Sequence, residues 1–357
     1  MLYNKMHSIN CGEGCMFADN TVFVIGAGAS AEFGLPVGAG LMKQIKQNSM
    51  FRFDISLMEG VPIIWDALRE RYDARGVDER LTAMREIHRS IDLAGSIDEF
   101  INRHYNDPII AEVGKLQIAY AISNAEAKSI LARTKEHDEH FDWELLKPTW
   151  IRTFAQLLFE GIRNDEVEHV GDNITIICFN YDRCIEKYLS DAIVKTFKDV
   201  NVDQARQIVG RMKIIHPYGS LGTLSDLSFG GKLYPQKLYD ISENLVTWSE
   251  SVKSERKTET ASAMMDATAI VFLGFAFAPQ NMELLTLPTS RPRRELDYPV
   301  EEYATGFGYN DVIDRRLKSK IMNLYPQDDV LSWDSIHVQY EMKCAHFMQT
   351  HSMALSA

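Results

Sequence analysis

The chain has 357 residues, of which 45% are hydrophobic and 25% charged, enough for one large α/β domain with an insertion or for two domains. A formal net charge of −12 argues against broad nucleic-acid or anionic-membrane binding, and no apolar run nears the ~20 residues that span a bilayer. Five cysteines at 11, 15, 178, 184 and 344 form no pair of metal-ligand motifs and point to free thiols in a reducing compartment. The expectation is a cytoplasmic protein without zinc, membrane contact or sequence-specific nucleic-acid binding.

After a peripheral N-terminal extension, residues 1–20, the run TVFVI (Thr21–Ile25) reads as a buried strand. Gly26, Ala27, Gly28 and Ser30 follow at once, and helical composition continues from Ala31 to about Gln47. A strand that turns through glycines into a helix aims backbone amides at one point, which favours phosphate. Gly26 permits the tight turn, and Gly28 lets a diphosphate come close. Ala31 fills the third slot of a dinucleotide fingerprint, but KQNSM supplies neither the second strand nor its acidic end. Nucleotide binding is expected; an ordinary dehydrogenase is not.

From about 50 to 170 the apolar residues fall at helical spacing, as in IIWDALRERY and WIRTFAQLLFEGI, so a large, mostly helical insertion is expected. Ser96-Ile97-Asp98-Glu99 has the form of a capping box that starts a helix. Strand character returns at Ile174–Phe179 and ends in Asn180-Tyr181-Asp182, ahead of a helical DRCIEKYLSDAIVKTF. A third run, Met212–Ile215, ends in His216-Pro217-Tyr218-Gly219-Ser220, and a fourth, Ala269–Leu273, ends in Gly274-Phe275-Ala276. Between them 222–257 reads as loop-rich, with SFGGKLYP as an exposed excursion. Beyond Ser290, RPRRELD reads as a linker, and 291–357 as a helical or irregular extension with one helix capped near Asn310. Apolar runs alternating with helices imply a Rossmann-like, largely parallel sheet, and ligands of such sheets sit at the carboxyl ends of the strands. Four strand ends can therefore meet at one crevice.

With these strand ends in order, the chain resembles the sirtuin-like family, and within it the bacterial antiphage-defence branch of NAD-consuming enzymes. The matching residues are GAGAS with GLP (Gly26–Ser30, Gly34–Pro36), FNYD (Phe179–Asp182), HPYGS (His216–Ser220), LGFAF (Leu273–Phe277) and SIDEF (Ser96–Phe100). The Asp-Phe-Arg triplet of protein-deacylating sirtuins is here Val37, Gly38 and Ala39, and five scattered cysteines cannot build their four-cysteine zinc module. Protein deacylation is not expected. What the resemblance implies is a 21–290 catalytic domain that hydrolyses NAD, as substrate, to ADP-ribose and nicotinamide. Its activity would be gated by self-assembly into a homo-oligomer or by a partner such as a HerA-type hexameric ATPase.

Breaking the nicotinamide–ribose bond needs diphosphate anchoring, a polar group on the ribose or the water, and a base. Gly26, Ala27, Gly28 and Ser30 can supply the first, and Asn180 the second through its carboxamide. His216 is the first candidate for the base and Tyr218, immediately before Gly219-Ser220, the second. Asp182 adds negative potential near the cationic ribose or caps the following helix. Pro36, Gly219, Ser220, Gly274 and Phe275 complete the expected binding set. A catalytically silent NAD or ADP-ribose sensor and an ADP-ribosyl transferase or cyclase stay open as alternatives. The His137-Asp138-Glu139-His140 cluster and Arg291, Arg293 and Arg294 read as solvated surface, and Cys178 as a core thiol.

Overall fold

The computed structural model describes residues 17–53, 57–132, 142–288, 300–326 and 332–356. Cys11, Cys15, the 137–140 cluster and the three arginines at 291–294 lie outside the described residues. The frame is a six-stranded, all-parallel sheet of β1 (Thr21–Ile25), β4 (Ile174–Cys178), β5 (Lys213–Ile215), β6 (Ala269–Leu273), β7 (Glu301–Thr305) and β8 (Ile336–Gln339). A separate two-stranded ribbon pairs β2 (Arg52–Phe53) with β3 (Leu57–Glu59). The sheet order is β5-β4-β1-β6-β7-β8. The chain thus builds outward from β1 on one side, then returns to build outward on the other, as in dinucleotide-binding doubly wound folds.

Why these strands are central follows from their sequence. Every residue of β1 and β4 is buried, so both strand faces are covered. Alternation with period two then divides the core. Val22 and Val24 join Ile177, Ile270 and Phe272 under the insertion helices, whereas Phe23 and Ile25 join Ile176, Val271 and Leu273 on the opposite face. There Phe23 packs edge-on against Phe154, ring centroids 5.0 Å apart, in the helix Trp150–Phe159. The insertion is helical as expected, with helices Pro62–Arg71, Ala74–Ser90, Ile97–Arg103 and Pro108–Lys128. Ser96 caps the third of these by accepting from the Glu99 amide at 3.0 Å, while the Glu99 carboxylate reaches back to Gly95 rather than to Ser96.

Four expectations are corrected. Within the expected 291–357 extension, β7 and β8 instead continue the main sheet in register, for example Tyr303 beside His337. The segment after β1 makes one turn at Ala27–Ser30 and a 3-10 turn at Ala31–Phe33. Gly34 then breaks it with φ 90°, before the helix Gly38–Asn48. Within 222–257 lie the helix Pro235–Glu243 and two further helical segments, Trp248–Ser251 and the start of Glu255–Asp266. The SFGG stretch docks on the insertion, because a Cβ on Gly230 would lie 2.7 Å from the Ala127 Cα. The helix expected to start near Asn310 is present: a 3-10 turn, Asp311–Ile313, leads directly into Asp314–Met322.

Candidate functional site

The site begins where β1 and β6, adjacent strands that lead to opposite halves of the sheet, both end in glycine. Gly26 N donates to the Leu273 carbonyl and Gly28 N to the Gly274 carbonyl, each at 2.9 Å, and Ala29 N turns back to Gly26 O at 3.0 Å. The two turns are in van der Waals contact along the backbone. A Cβ on Gly26 would stand 2.5 Å from Gly274 O, and one on Gly274, itself at φ 59°, would stand 2.1 Å from Ala29 N. These glycines are therefore required by turn-on-turn packing. Three of the four amides from Gly26 to Ala29 are spent inside the protein, and among the described residues Ala27 N has no such backbone partner.

Asn180, just past β4, is held at this junction. Its Nδ2 donates to Gly26 O at 3.0 Å and to Ser30 Oγ at 2.8 Å. Both carboxamide hydrogens are thereby committed. Asp182 is buried and accepts from the Cys184 amide at 3.1 Å, which fixes the start of the helix Cys184–Thr196. Burial pushes its carboxyl up from the ordinary value, against the bonds from Cys184 and Ser30. Asp182 thus caps the start of that helix, as one reading of the sequence has it.

His216 lies next to Asn180, but its ring is fully engaged. The Asn180 carbonyl accepts from Nδ1 at 3.0 Å, and Nε2 lies 2.8 Å from Glu186 Oε1. A carbonyl on one nitrogen and a carboxylate on the other call for a proton on both. Burial opposes that charge, yet Cys178 and the Glu186 carboxylate outweigh it and raise His216 well above 6.5. Glu186 is lowered, because His216 outweighs its burial. The buried Cys178 thiol is itself pushed up, so Glu186 is the partner that matters. The contribution of the raised His216 is present below 6.5 and lost as pH rises through its folded value; that of Glu186 is lost as pH falls below its own. We expect 15N shifts of the His216 ring to report a doubly protonated imidazole at pH 7.5; a neutral ring at that pH would contradict the pair.

Tyr218 is buried, donates to Asn281 Oδ1 at 2.8 Å, and packs on Phe179 with centroids 5.9 Å apart. Burial, with Asp98 next, raises its phenol far above its usual range, so it is a neutral hydrogen-bond donor. Tyr181 donates to Asp98 Oδ1, which carries the SIDEF helix of the insertion to the strand ends. Burial pushes Asp98 up to about 6, against the bond from Tyr181. Phe275 is core, tilted against Phe179 and Phe272 and edge-on to Phe277. Gly219, at φ 71°, closes the turn from His216 and would clash with Asn244 O at 2.1 Å if it bore a Cβ. Ser220 lines a cavity of about 760 Å³ with Arg183 and Glu186, on the far side of the imidazole. Pro36 is half-buried in the link between the 3-10 turn and the helix Gly38–Asn48.

The structure therefore brings together Gly26, Ser30, Asn180, Asp182, His216, Tyr218 and Gly274 from four strand ends. Sequence reasoning missed Asp98, Glu186 and Asn281 as partners. A signal for Asp98 was its place in SIDEF, while Glu186 sits on the first turn after Asp182. Among the described residues no group of three or more His, Cys, Asp or Glu is placed to hold a metal ion, and no helix is long and apolar enough to cross a membrane. In comparisons with family models, curated proteins and solved structures, none matched this chain.

Proposed function

We propose that the chain hydrolyses NAD at its nicotinamide–ribose bond. The observation that carries this reading is Asn180, locked by both carboxamide hydrogens to the glycine turn and Ser30 at the junction of β1 and β6. That junction is where doubly wound sheets hold dinucleotides. The fold-level part of the inference is analogy; the Asn180 geometry is not.

In the reaction the C1′–N bond breaks, its electron pair returns to the pyridinium, and nicotinamide leaves neutral. Asn180 Oδ1 orients a ribose hydroxyl or the attacking water. Asp98, ionised above about pH 6, places negative potential near the oxocarbenium-like ribose. Ala27 N faces the phosphates, while Ser30, bonded to both Asn180 and Asp182, fixes those two side chains. His216, with both nitrogens occupied, positions Asn180 through its carbonyl rather than taking a proton, so the base role passes to Asp98. A water that bonds C1′ gives its proton to that carboxylate, ionised above about pH 6. The resemblance to the antiphage branch supplies the setting: cytoplasmic depletion of NAD, gated by assembly or by an ATPase partner.

Nicotinamide release by wild type, Asp98→Asn, His216→Ala and Tyr218→Phe, measured from pH 4.5 to 8, tests these roles. Wild-type turnover is expected to rise through about pH 6. Asp98→Asn should lose that limb and fall ~10²–10⁴-fold, the range of a missing base, with Tyr218→Phe retaining partial activity. An unchanged limb in Asp98→Asn would remove Asp98 from the chemistry. Tight NAD binding with no release by any form would favour the silent-sensor reading.

A further inference from the structure

The turn after β6 takes a left-handed form at two residues, and only one of them is glycine. Gly274 has φ 59°, whereas Phe277 has φ 51° although it is an aromatic residue 1% exposed. A bulky side chain in that region is costly and persists only where its surroundings over-determine it. The surroundings come from the end of β7 and from the helix Asp314–Met322. Thr305 Oγ1 accepts from Gly274 N at 2.8 Å and donates to Phe272 O at 3.2 Å. Tyr309 Oη donates to Ala276 O at 2.7 Å, and Lys320 Nζ donates to Phe277 O at 2.8 Å. The Phe277 ring itself is set against Phe272 and Phe275, each centroid 5.1 Å away.

What this turn holds lies on both sides of it. Gly274 O accepts from Gly28 N at 2.9 Å, and Gly274 is packed against the backbone of Gly28 and Ala29. Just past Phe277 the helix Pro279–Leu285 begins, and its Asn281 accepts the Tyr218 hydroxyl. Were Phe277 to relax to negative φ, the chain would leave the turn in another direction. The support of the Gly26–Ala29 turn and the place of Asn281 would then change together.

We propose that Lys320 and Tyr309 are positioning residues of the strand-end site: they hold the Gly274–Ala278 turn in its left-handed form, and that turn holds the Gly26–Ala29 turn in shape for a diphosphate. Lys320 carries the larger share, because a bond from an ammonium to a carbonyl is charge-assisted. Both residues lie beyond 290, outside the span expected to hold the chemistry, so the far half of the sheet completes the site. The consequence for NAD rests on the hydrolase reading; the hold on the turn does not.

Two readouts at pH 7 test this in wild type, Lys320→Met and Tyr309→Phe: hydrogen exchange of the Gly28 amide against that of Phe23 inside β1, and KM with kcat for NAD. In Lys320→Met the Gly28 amide is expected to exchange ~10-fold faster while Phe23 stays protected, since release of the turn is a local opening. KM should rise ~10-fold with kcat within ~2-fold, the pattern of lost ground-state binding. Tyr309→Phe should move both readouts the same way by less. Unchanged Gly28 exchange and KM in both variants would overturn the proposal. So would faster exchange of Phe23 in step with Gly28, with kcat reduced and KM unchanged, because that is general loss of stability. Should Lys320→Met fail to fold, Tyr309→Phe decides by the same readouts. A wild-type chain that leaves NAD intact would sink the hydrolase reading, and the Gly28 exchange would still decide whether Lys320 and Tyr309 hold the turn.

Discussion

Asn180→Ala is expected to lower NAD turnover ~10²–10³-fold, the usual loss when one preorganised polar group is removed from a reacting centre. The variant removes the Oδ1 that the proposed reaction sets on the ribose and also strips the Gly26 carbonyl and Ser30 Oγ of their shared donor. Leaving such buried groups unmet costs ~1–3 kcal/mol, so Tm should fall as well. The two effects separate in the kinetics. If Asn180 acts in the transition state, kcat falls while KM changes little; if it only braces the turn, the loss follows the unfolded fraction and recovers at lower temperature. Asn180→Asp is the sharper control, because an aspartate of the same shape cannot donate to Gly26 O and should be as inactive as alanine.

The second large effect concerns the buried pair Arg183–Glu126. Their side chains are 1% and 0% exposed. Arg183 N and Nε both reach Glu126 Oε1 at 3.1 Å, and Nη2 reaches Oε2 at 2.6 Å. Nη1 donates to the Thr223 carbonyl at 3.1 Å and to that of Leu227 at 2.5 Å. One guanidinium therefore ties the insertion helix Pro108–Lys128, the FNYD turn and the loop after Ser220 together. Glu126→Ala leaves a buried cation without its counter-charge and is expected to destabilise by ~3–5 kcal/mol in urea unfolding. The double variant Glu126→Leu/Arg183→Met removes both charges and should regain most of that loss. A single variant costing less than ~1 kcal/mol would mean that the pair is hydrated and does not organise the site.

How much of this was legible in the sequence depended on where burial is symmetric. β1, β4 and β6 are apolar on both faces because helices cover both, and such runs declare themselves. β7 opens with Glu301 and Glu302, and β8 reads Ile-His-Val-Gln. β8 is the edge strand and half-exposed, which tolerates its His and Gln, whereas Glu302 of β7 is fully buried; in both strands the polar residues hid them from composition. Asn180 and His216 were found because polar residues that end buried strands stand out. The partners of His216 and Tyr218 were not, since Glu186 and Asn281 come from separate elements and only tertiary packing aims them inward. His216 shows the limit of reading a role from a residue type. The side chain is where the motif places it, but two acceptors hold its protons and turn a candidate base into a fixed cation. Glu126 had a signal of its own, a lone acid near the end of an Ala-rich, apolar stretch, QIAYAISNAEAK.

The most direct measurement is mass spectrometry of NAD incubated with the purified chain in H₂¹⁸O, with Asn180→Ala alongside. Hydrolysis predicts one nicotinamide and one ADP-ribose per NAD consumed, the ADP-ribose carrying ¹⁸O in its new C1′ hydroxyl in the shortest incubations, and next to no product from the variant. Intact NAD after prolonged incubation with the active-concentration chain, or equal product from Asn180→Ala, would contradict the assignment of this strand-end junction as an NAD-cleaving site.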